Sequence, residues 1–135
     1  MEKSFIMIKP DGLERALMGE IISRIENKGL KIVGAKLIRP EKEIVENHYL
    51  EHKEKPFFNE LVEFISNGKV MAMIVEGQDV IRIMRNLIGD KDPLQAIPGT
   101  IRGDFSYSTT ENIIHGSDSI ESAKREINMW FKEEK

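Results

Sequence analysis

The segment with the clearest structural pattern near the start of the chain is Phe5-Ile6-Met7-Ile8-Lys9-Pro10-Asp11-Gly12. Its four apolar residues form a run of the length expected for a buried strand, and the last four residues end that strand in a turn. Asp11 and Glu14 are three residues apart, which resembles a capping box and predicts that a helix begins here. The chain therefore opens with a strand, a turn and a helix.

The rest of the chain continues this alternation. Apolar residues from Leu13 to Ile25 recur at helical spacing, and Gly29 follows as a C-terminal cap. The patterns further predict strands at 30–38, 70–75 and 112–115, helices at 43–51, 57–65 and 79–88, and a last helix capped by Asp118 and Glu121 with a core face of Ile120, Ala123, Ile127, Trp130 and Phe131. The order β-α-β-α-β-α-β-α by itself favours a parallel α/β sheet.

One long segment, residues 89–111, shows no sustained period and contains Pro93, Pro98, Gly99 and Gly103. Structureless segments of this length are uncommon inside compact domains and are usually functional. We therefore expect a functional loop before the last strand.

Composition narrows the class of protein. With 135 residues and 15.5 kDa, we expect one domain spanning residues 1–135. Twenty basic and 23 acidic residues give a net charge of −3, which argues against a nucleic-acid partner. The absence of cysteine excludes disulfides and thiol catalysis. The apolar runs are too short to span a bilayer and the N-terminus has no signal-peptide pattern, so we expect a cytoplasmic protein without membrane contact.

Phosphate-binding glycine motifs are absent, since the only Gly-Lys pair, Gly68-Lys69, is followed by Val70. If phosphates are bound, side chains must hold them. His48-Tyr49-Leu50-Glu51-His52 matches the H-x-x-E-H pattern of one class of zinc peptidases, in which i and i+4 share a helix face. The more common interpretation of so short a pattern is two surface histidines on a charged helix. Zinc peptidase activity stays open as a minor alternative.

Two later segments carry stronger signals. Pro98 to Phe105 places Arg102 and Asp104 among glycines, which suits either a phosphate or a tight loop with an Arg–Asp pair. Asn112 to Ser119 places His115 at a strand end, ahead of a helix N-terminus that favours negative charge. Glu126, at the margin of the last helix's apolar face, either reaches back to orient that imidazole or is a solvated charge at the flank of the helix. Lys9, Arg85 and Arg102 complete a possible set of cations.

Taken together, Ile8 to Gly12, His48-Tyr49, Lys55 to Phe58, Pro98 to Phe105 and Asn112 to Ser119 resemble nucleoside diphosphate kinases in order and spacing. The resemblance extends from Lys3 to Phe131. It implies a ferredoxin-like α+β fold, with an antiparallel four-stranded sheet, helices on one face and a long active-site loop before the last strand. This expectation replaces the parallel sheet.

The resemblance also implies the reaction. Members of the family transfer the γ-phosphate of a nucleoside triphosphate to a nucleoside diphosphate by a ping-pong mechanism, which here would proceed through a phosphohistidine at His115. Mg²⁺ would be carried by the nucleotide phosphates, with no metal ligand from the protein. The expected substrates are ATP and other nucleoside di- and triphosphates, with broad base specificity and a role in balancing nucleotide pools.

Roles for individual residues follow from the same resemblance. Lys9 would lie near the ribose hydroxyls and the transferred phosphate, Asn112 near the ribose, and Tyr49 near His115 and the phosphoryl group. Phe57 would stack on the base, with Leu61 beside it. The phosphates would be contacted by Arg85, Arg102 and His52. Glu126 would orient His115, and Ser117 would support these two residues.

The chain departs from the family pattern in three places. Lys91 stands where the family usually has a phosphate-contacting Thr, and Lys55 replaces a frequent Arg. The chain ends four residues after Phe131, where many relatives have a longer tail, so the expected homo-oligomer is a hexamer or a tetramer, with the hexamer favoured. A catalytically silent family member is the other alternative, although such members tend to lose the histidine or the cations.

Overall fold

The structure is a computed structural model, and it describes residues 1–131. The elements in chain order are β1 (Glu2–Ile8), α1 (Pro10–Glu14), α2 (Met18–Asn27), β2 (Lys31–Ile38), α3 (Lys42–His48), a 3₁₀ turn (Leu50–His52), α4 (Phe58–Ser66), β3 (Val70–Gly77), α5 (Val80–Ile88), α6 (Ile101–Phe105), β4 (Ile114–Gly116) and α7 (Ile120–Trp130). The short C-terminal tail, residues 132–135, lies outside the described residues.

The four strands form one sheet in the order β2-β3-β1-β4, and each neighbouring pair is antiparallel. The predicted ferredoxin-like α+β fold is confirmed, and the parallel sheet suggested by element order alone is wrong. The reason lies in the connections. β1 and β2 do run in the same direction, as a β-α-β unit requires, but β3 lies between them and runs the opposite way.

Helices cover both faces of the sheet, so the expectation of helices on one face is wrong. Ile6 and Ile8 of β1 pack in a core cluster with residues of α2 and α5, the two crossover helices. Phe5 and Met7, which point to the opposite face, pack with residues of α3, α4 and α7. β1 is therefore buried on both sides, which explains why its apolar run is continuous.

The first predicted helix is divided in two. α1 ends at Glu14, Ala16 has a φ of +59°, and α2 begins at Met18. Asp11 does not cap α1, because the N-cap residue is Lys9 and no side chain caps the helix. The capping-box expectation is therefore wrong. Gly29, with a φ of +90°, does follow α2 as predicted.

The later elements differ from prediction by a few residues. The final strand is 114–116 rather than 112–115, and the last helix is capped by Ser119, whose hydroxyl accepts the N–H of Ser122 at 3.0 Å. Ile120 is 54% exposed and is not part of the core face, whereas Trp130 is buried.

The segment predicted as one helix over 43–51 ends its α-helical part at His48, and the 3₁₀ turn follows. His48 and His52 therefore do not share one helix face, and the geometry assumed for the H-x-x-E-H pattern is wrong.

Among residues 1–131, no helix combines the length and the apolar character that a membrane span requires.

Candidate active site

His115 lies at the centre of β4, opposite Met7 of β1, with a side chain that is 20% exposed. Its Nε2 is 3.1 Å from Oε1 of Glu126. An ionised carboxylate only accepts hydrogen bonds, so this contact places the imidazole proton on Nε2. The tautomer inferred in this way leaves the lone pair of Nδ1 free. His115 is thus presented with one nitrogen anchored and the other available.

Glu126 is held by the central strand of the sheet. The Ser117 hydroxyl donates to Glu126 Oε1 at 2.7 Å, and the same hydroxyl accepts the N–H of Phe5 at 3.0 Å. Burial raises the pKa of Glu126, while His48 and the Ser117 donor act in the opposite direction. The carboxylate that orients His115 is therefore fixed to the backbone of β1 through one serine.

His48 is a site residue that sequence reasoning did not assign. It is 3% exposed, so the expectation of a surface histidine is wrong for it. Its ring centroid lies 4.5 Å from that of His115, and its Nδ1 accepts the indole N–H of Trp130 at 3.0 Å. The signal was its spacing from Val45, because residues three apart on α3 share the buried face.

Among the described residues, His48, His115 and Glu126 place three ligand atoms within 4.8 Å of one another, a spacing at which a metal could bind. The hydrogen bonds argue against that use. The indole N–H is only a donor, so Nδ1 of His48 is unprotonated and its neutral ring carries the proton on Nε2. A metal at Nε2 would have to displace that proton while Nδ1 still accepts from Trp130, which would leave the ring as an imidazolate. The zinc peptidase alternative receives no support from this geometry.

Lys9 and Arg102 bring positive charge to the histidine. Lys9 is 6% exposed and its Nζ donates to Oδ1 of Asn112 at 2.8 Å. Arg102 donates from Nε, Nη1 and Nη2 to the carbonyls of Asn112, Gly89 and Ile114 at 3.3, 3.1 and 2.6 Å. Two of its five N–H groups are left for a ligand. Arg102 therefore both holds the loop to β4 and faces the cleft.

Arg85, exposed on α5, completes the set of cations and donates to the carbonyl of Gly116 at 3.4 Å. Burial lowers the pKa of His115 to about 3, and Lys9, Arg102 and Arg85 act in the same direction. Burial, with Arg102 nearby, also lowers the pKa of Lys9 to about 7. The imidazole is therefore neutral at physiological pH, as a nucleophile requires.

A strained turn leads into β4. Ile113 has a φ of +78°, which is rare for a β-branched residue, and the N–H of Ile114 donates to the carbonyl of Asn112 at 2.8 Å. Oδ2 of Asp11 accepts the N–H of Ile113 at 3.0 Å, and the backbone N–H of Lys9 donates to the Ile113 carbonyl at 2.7 Å. The carboxylate predicted as a cap instead fixes the turn beside His115.

The segment 89–111 contains one helical turn, α6, which carries Arg102. The Arg–Asp pair, one of the two alternatives for this segment, does not form between Arg102 and Asp104. Instead, Asp104 accepts from Arg24 of α2 at 2.7 Å and from the N–H of Gly99 at 2.8 Å. Gly103 has a steric role, because a Cβ there would overlap the carbonyl of Ile97. Arg24, which the sequence did not indicate, ties the loop to α2.

Two adjoining clefts of about 510 and 500 Å³ share Tyr49, His52, Lys91 and Asn112. The first contains His115, and the second ends at Phe57, which is 41% exposed. The hydroxyl of Tyr49 is buried without a hydrogen-bond partner in the described chain. Burial, with Glu126 nearby, raises the pKa of Tyr49, so the phenol is neutral.

The structure brings the predicted site residues together. All of them except Ser117 line one of the two clefts, and Ser117 contacts Glu126 directly; the lining residues are Lys9, Tyr49, His52, Phe57, Leu61, Arg85, Arg102, Asn112, His115 and Glu126. Lys91, the departure from the family pattern, lines both clefts.

Comparison with known proteins gives a consistent result. The family model described as nucleoside diphosphate kinase matches residues 2–135. A nucleoside diphosphate kinase of Macrococcus caseolyticus is 59% identical over 134 residues, which cover 99% of this chain and 90% of that protein.

Two solved structures are similarly close. A nucleoside diphosphate kinase family protein from Babesia bovis superposes with a TM-score of 0.96 at 51% identity, covering 99% of this chain and 90% of that one. A halophilic nucleoside diphosphate kinase from Halobacterium salinarum, solved in complex with CDP, gives a TM-score of 0.93 at 48% identity, covering 96% and 87%.

Proposed function

This chain belongs to the nucleoside diphosphate kinase family, enzymes that transfer phosphate between nucleotides, and we propose that it does so by a ping-pong mechanism with a phosphohistidine at His115. The observation that carries the proposal is the contact of Nε2 with Glu126, which leaves Nδ1 free on a ring that burial keeps neutral. We further propose that residues 1–135 act as one domain.

The first half-reaction can be written on these atoms. The Nδ1 lone pair attacks the γ-phosphorus, the Nδ1–P bond forms, and the bond from phosphorus to the bridging oxygen breaks. Its electron pair leaves with the nucleoside diphosphate. The phosphorylated ring becomes cationic while Nε2 still donates to the Glu126 carboxylate, which stabilises that charge. A second nucleoside diphosphate then attacks the phosphorus and restores the neutral imidazole.

We assign the positive charge at the transferred phosphate to Arg85, Arg102 and Lys9, because the lowered pKa of Lys9 rises again when an anionic phosphate lies beside it. Charge-assisted hydrogen bonds of this kind contribute about 1.5–3 kcal/mol each, so three cations can replace a glycine cradle. We assign His52 and the Tyr49 hydroxyl to the same end of the cleft, where the buried phenol has an unused hydrogen-bonding group.

The nucleoside would occupy the second cleft. Asn112, whose Oδ1 accepts from Lys9, is placed to contact the ribose, and Phe57 with Leu61 forms an apolar slot for the base. A base held by stacking rather than by hydrogen bonds to its edge predicts broad base specificity. The CDP bound to the Halobacterium salinarum protein is consistent with a nucleotide in this fold.

Further properties follow as proposals. Mg²⁺ would enter on the nucleotide phosphates, ATP and other nucleoside triphosphates would be the donors, and the enzyme would balance nucleotide pools in the cytoplasm without needing membrane or nucleic acid. We also propose a homo-oligomer, a hexamer rather than a tetramer. Its support is the exposure of apolar side chains on or beside the loop: Leu94 is 90%, Ile97 71% and Tyr107 72% exposed. Light scattering would measure the subunit number.

Labelling with terminally labelled ATP tests the reaction. We expect one acid-labile, alkali-stable label per subunit, released as labelled triphosphate by any nucleoside diphosphate. His115→Ala should abolish the label, whereas His52→Ala should retain it because His52 is not the nucleophile. A label that persists in His115→Ala would exclude this mechanism. A wild-type protein that takes no label would instead support the catalytically silent alternative.

A further inference from the structure

One buried polar group has no role in the reaction described above. Nε2 of His48 lies in a side chain that is 1% exposed, has no hydrogen-bond partner among the described residues, and is 4.0 Å from Oε2 of Glu126. A buried polar atom without a partner is costly, so an atom of this kind needs an explanation. The nearest candidate partner is the carboxylate that already binds His115 through its other oxygen.

The chemistry of this nitrogen follows from its neighbour. Because Trp130 donates to Nδ1, the neutral His48 ring must carry its proton on Nε2. The N–H dipole therefore lies beside the second oxygen of Glu126. Burial, with His115 close by, lowers the pKa of His48 well below its usual range, so the ring contributes a dipole and not a charge.

We propose that His48 is a positioning residue: Trp130 fixes its tautomer, and its Nε2–H holds Glu126 ionised and directed at His115. The inference rests on the proposed function, because it concerns the carboxylate that orients the phosphorylated histidine. Ser117 and His115 hydrogen-bond to Oε1 of Glu126, and Nε2 of His48 faces Oε2 at 4.0 Å. The Trp130-His48-Glu126-His115 series links α7, α3 and β4 behind the nucleophile.

This support matters most after phosphoryl transfer. The phosphorylated imidazole is cationic, and a carboxylate that had taken up a proton could no longer stabilise it. Burial favours protonation of Glu126, so each donor that favours the anion opposes that tendency. At 4.0 Å the His48 contact is longer than a hydrogen bond, and a movement of about 1 Å would convert it into one.

Other groups also act on Glu126 and would contribute to its titration. Arg125, on the same helix, has Nη2 3.8 Å from Oε2 and favours the anion, while Asp118, which follows β4, disfavours it. His115 and Ser117 donate from β4 and the residue after it. The first test therefore changes only His48 and leaves these groups in place.

Two substitutions test the roles of the two nitrogens of His48 separately. His48→Gln keeps an N–H near the position of Nε2 but removes the acceptor for Trp130, whereas His48→Asn keeps that acceptor and removes the donor facing Glu126. We expect His48→Asn to move the acid limb of the kcat/KM profile up by about one pH unit and to slow His115 phosphorylation about tenfold, with the nucleotide KM unchanged. His48→Gln should retain the wild-type acid limb.

Trp130→Phe provides an independent test through the tautomer. Without the indole donor, either nitrogen of His48 can carry the proton, so we expect a shift in the same direction as in His48→Asn but smaller. Thermal unfolding of all three variants measures their stability, which a purely packing role would lower without moving the acid limb.

Equal acid limbs in His48→Asn, His48→Gln and the wild type would overturn the proposal, and so would equal shifts in both variants. Failure of the proposed function gives a different result, because the wild-type protein would then take no phosphoryl label on His115.

Discussion

The wall of the cleft that carries His115 and the wall that carries Arg102 are built in different ways. His115 lies on β4, Ser117 is the residue after that strand, and Glu126 lies on α7. Their polar atoms hydrogen-bond with one another in the interior. Arg102 stands on a one-turn helix within a long loop, and its guanidinium binds backbone carbonyls. The first arrangement fixes the direction of one lone pair, and the second supplies charge.

This difference predicts different sensitivities. In the proposed mechanism, attack by Nδ1 requires one tautomer and one direction, so a small change behind His115 would alter the reacting atom itself. A cation acts over several ångströms, and Lys9, Arg85 and Arg102 share the work, so the loss of one is compensated in part. Substitutions behind His115 should therefore affect kcat most, and substitutions that only loosen the loop should affect KM.

The largest effect should come from Glu126→Gln. An amide N–H directed at His115 would favour the tautomer with the proton on Nδ1, which removes the attacking lone pair. We expect kcat to fall by roughly 10²–10³-fold, within the range of general acid–base groups, with little change in KM. Glu121→Gln, an exposed position in the first turn of the same helix, is the matched control and should be unaffected. Equal activity in both variants would contradict the orienting role.

Arg102 and Lys91 provide the next comparison, within the loop itself. Arg102→Ala removes the cation that we assign to phosphate and three hydrogen bonds to carbonyls, whereas Lys91 is exposed and makes no contact of that kind among the described residues. We expect Arg102→Ala to lower kcat/KM about 100-fold and Lys91→Ala only a few-fold.

Arg102→Lys keeps the charge without the fork and should fall between them. Equal losses in Arg102→Ala and Lys91→Ala would instead mean that Lys91 contacts phosphate directly.

Asp11→Ala tests the turn that joins the two walls. The substitution leaves the buried N–H of Ile113 without its acceptor, in a backbone conformation that is already unfavourable. We expect about 1–3 kcal/mol of lost stability in urea unfolding and a fall in kcat, because Asn112 and His115 flank this turn. Asp11→Asn, which can still accept the hydrogen bond, should recover most of both. A stable, fully active Asp11→Ala protein would contradict the positioning role.

The sequence predicted the elements, and which side chains meet at the cleft, better than the contacts that hold them in place. Apolar periodicity found the strands and most helices, and family motifs identified His115, Glu126 and the cations. Asp11 was misassigned because its partner, the N–H of Ile113, is 102 residues away and no local pattern reveals it. His48 was missed for a similar reason, since a histidine among charged residues is typical of a surface and its hydrogen-bond partner, Trp130, is 82 residues away.

The order of the strands in the sheet could not be predicted from local sequence patterns either. The β-α-β pattern correctly implied that β1 and β2 run in the same direction, but the insertion of β3 between them depends on long-range pairing. The second helical layer has the same origin, because α3, α4 and α7 cover the face opposite the crossover helices. Only the resemblance to a family, and not periodicity, supplied the antiparallel order.

Arg24→Met should give the smallest effect. It measures how much the contacts of Arg24 with the loop 89–111 contribute to nucleotide binding. Arg24 pairs with Asp104 across two elements and donates to the carbonyl of Gly99, while its guanidinium lies 5.1 Å from the Phe105 ring centre. Because the pair is partly exposed, it contributes up to about 1 kcal/mol, so we expect the nucleotide KM to rise about threefold to fivefold at unchanged kcat.

Arg82→Met, an exposed arginine on α5, is the matched control. Limited proteolysis within 89–111 should be faster in Arg24→Met and unchanged in the control. A fall in kcat at constant KM would mean that Arg24 acts on the reacting groups, and the distinction between a wall that directs the nucleophile and a wall that supplies charge would then be wrong. An unchanged KM with faster proteolysis would show instead that bound nucleotide orders the loop without this anchor.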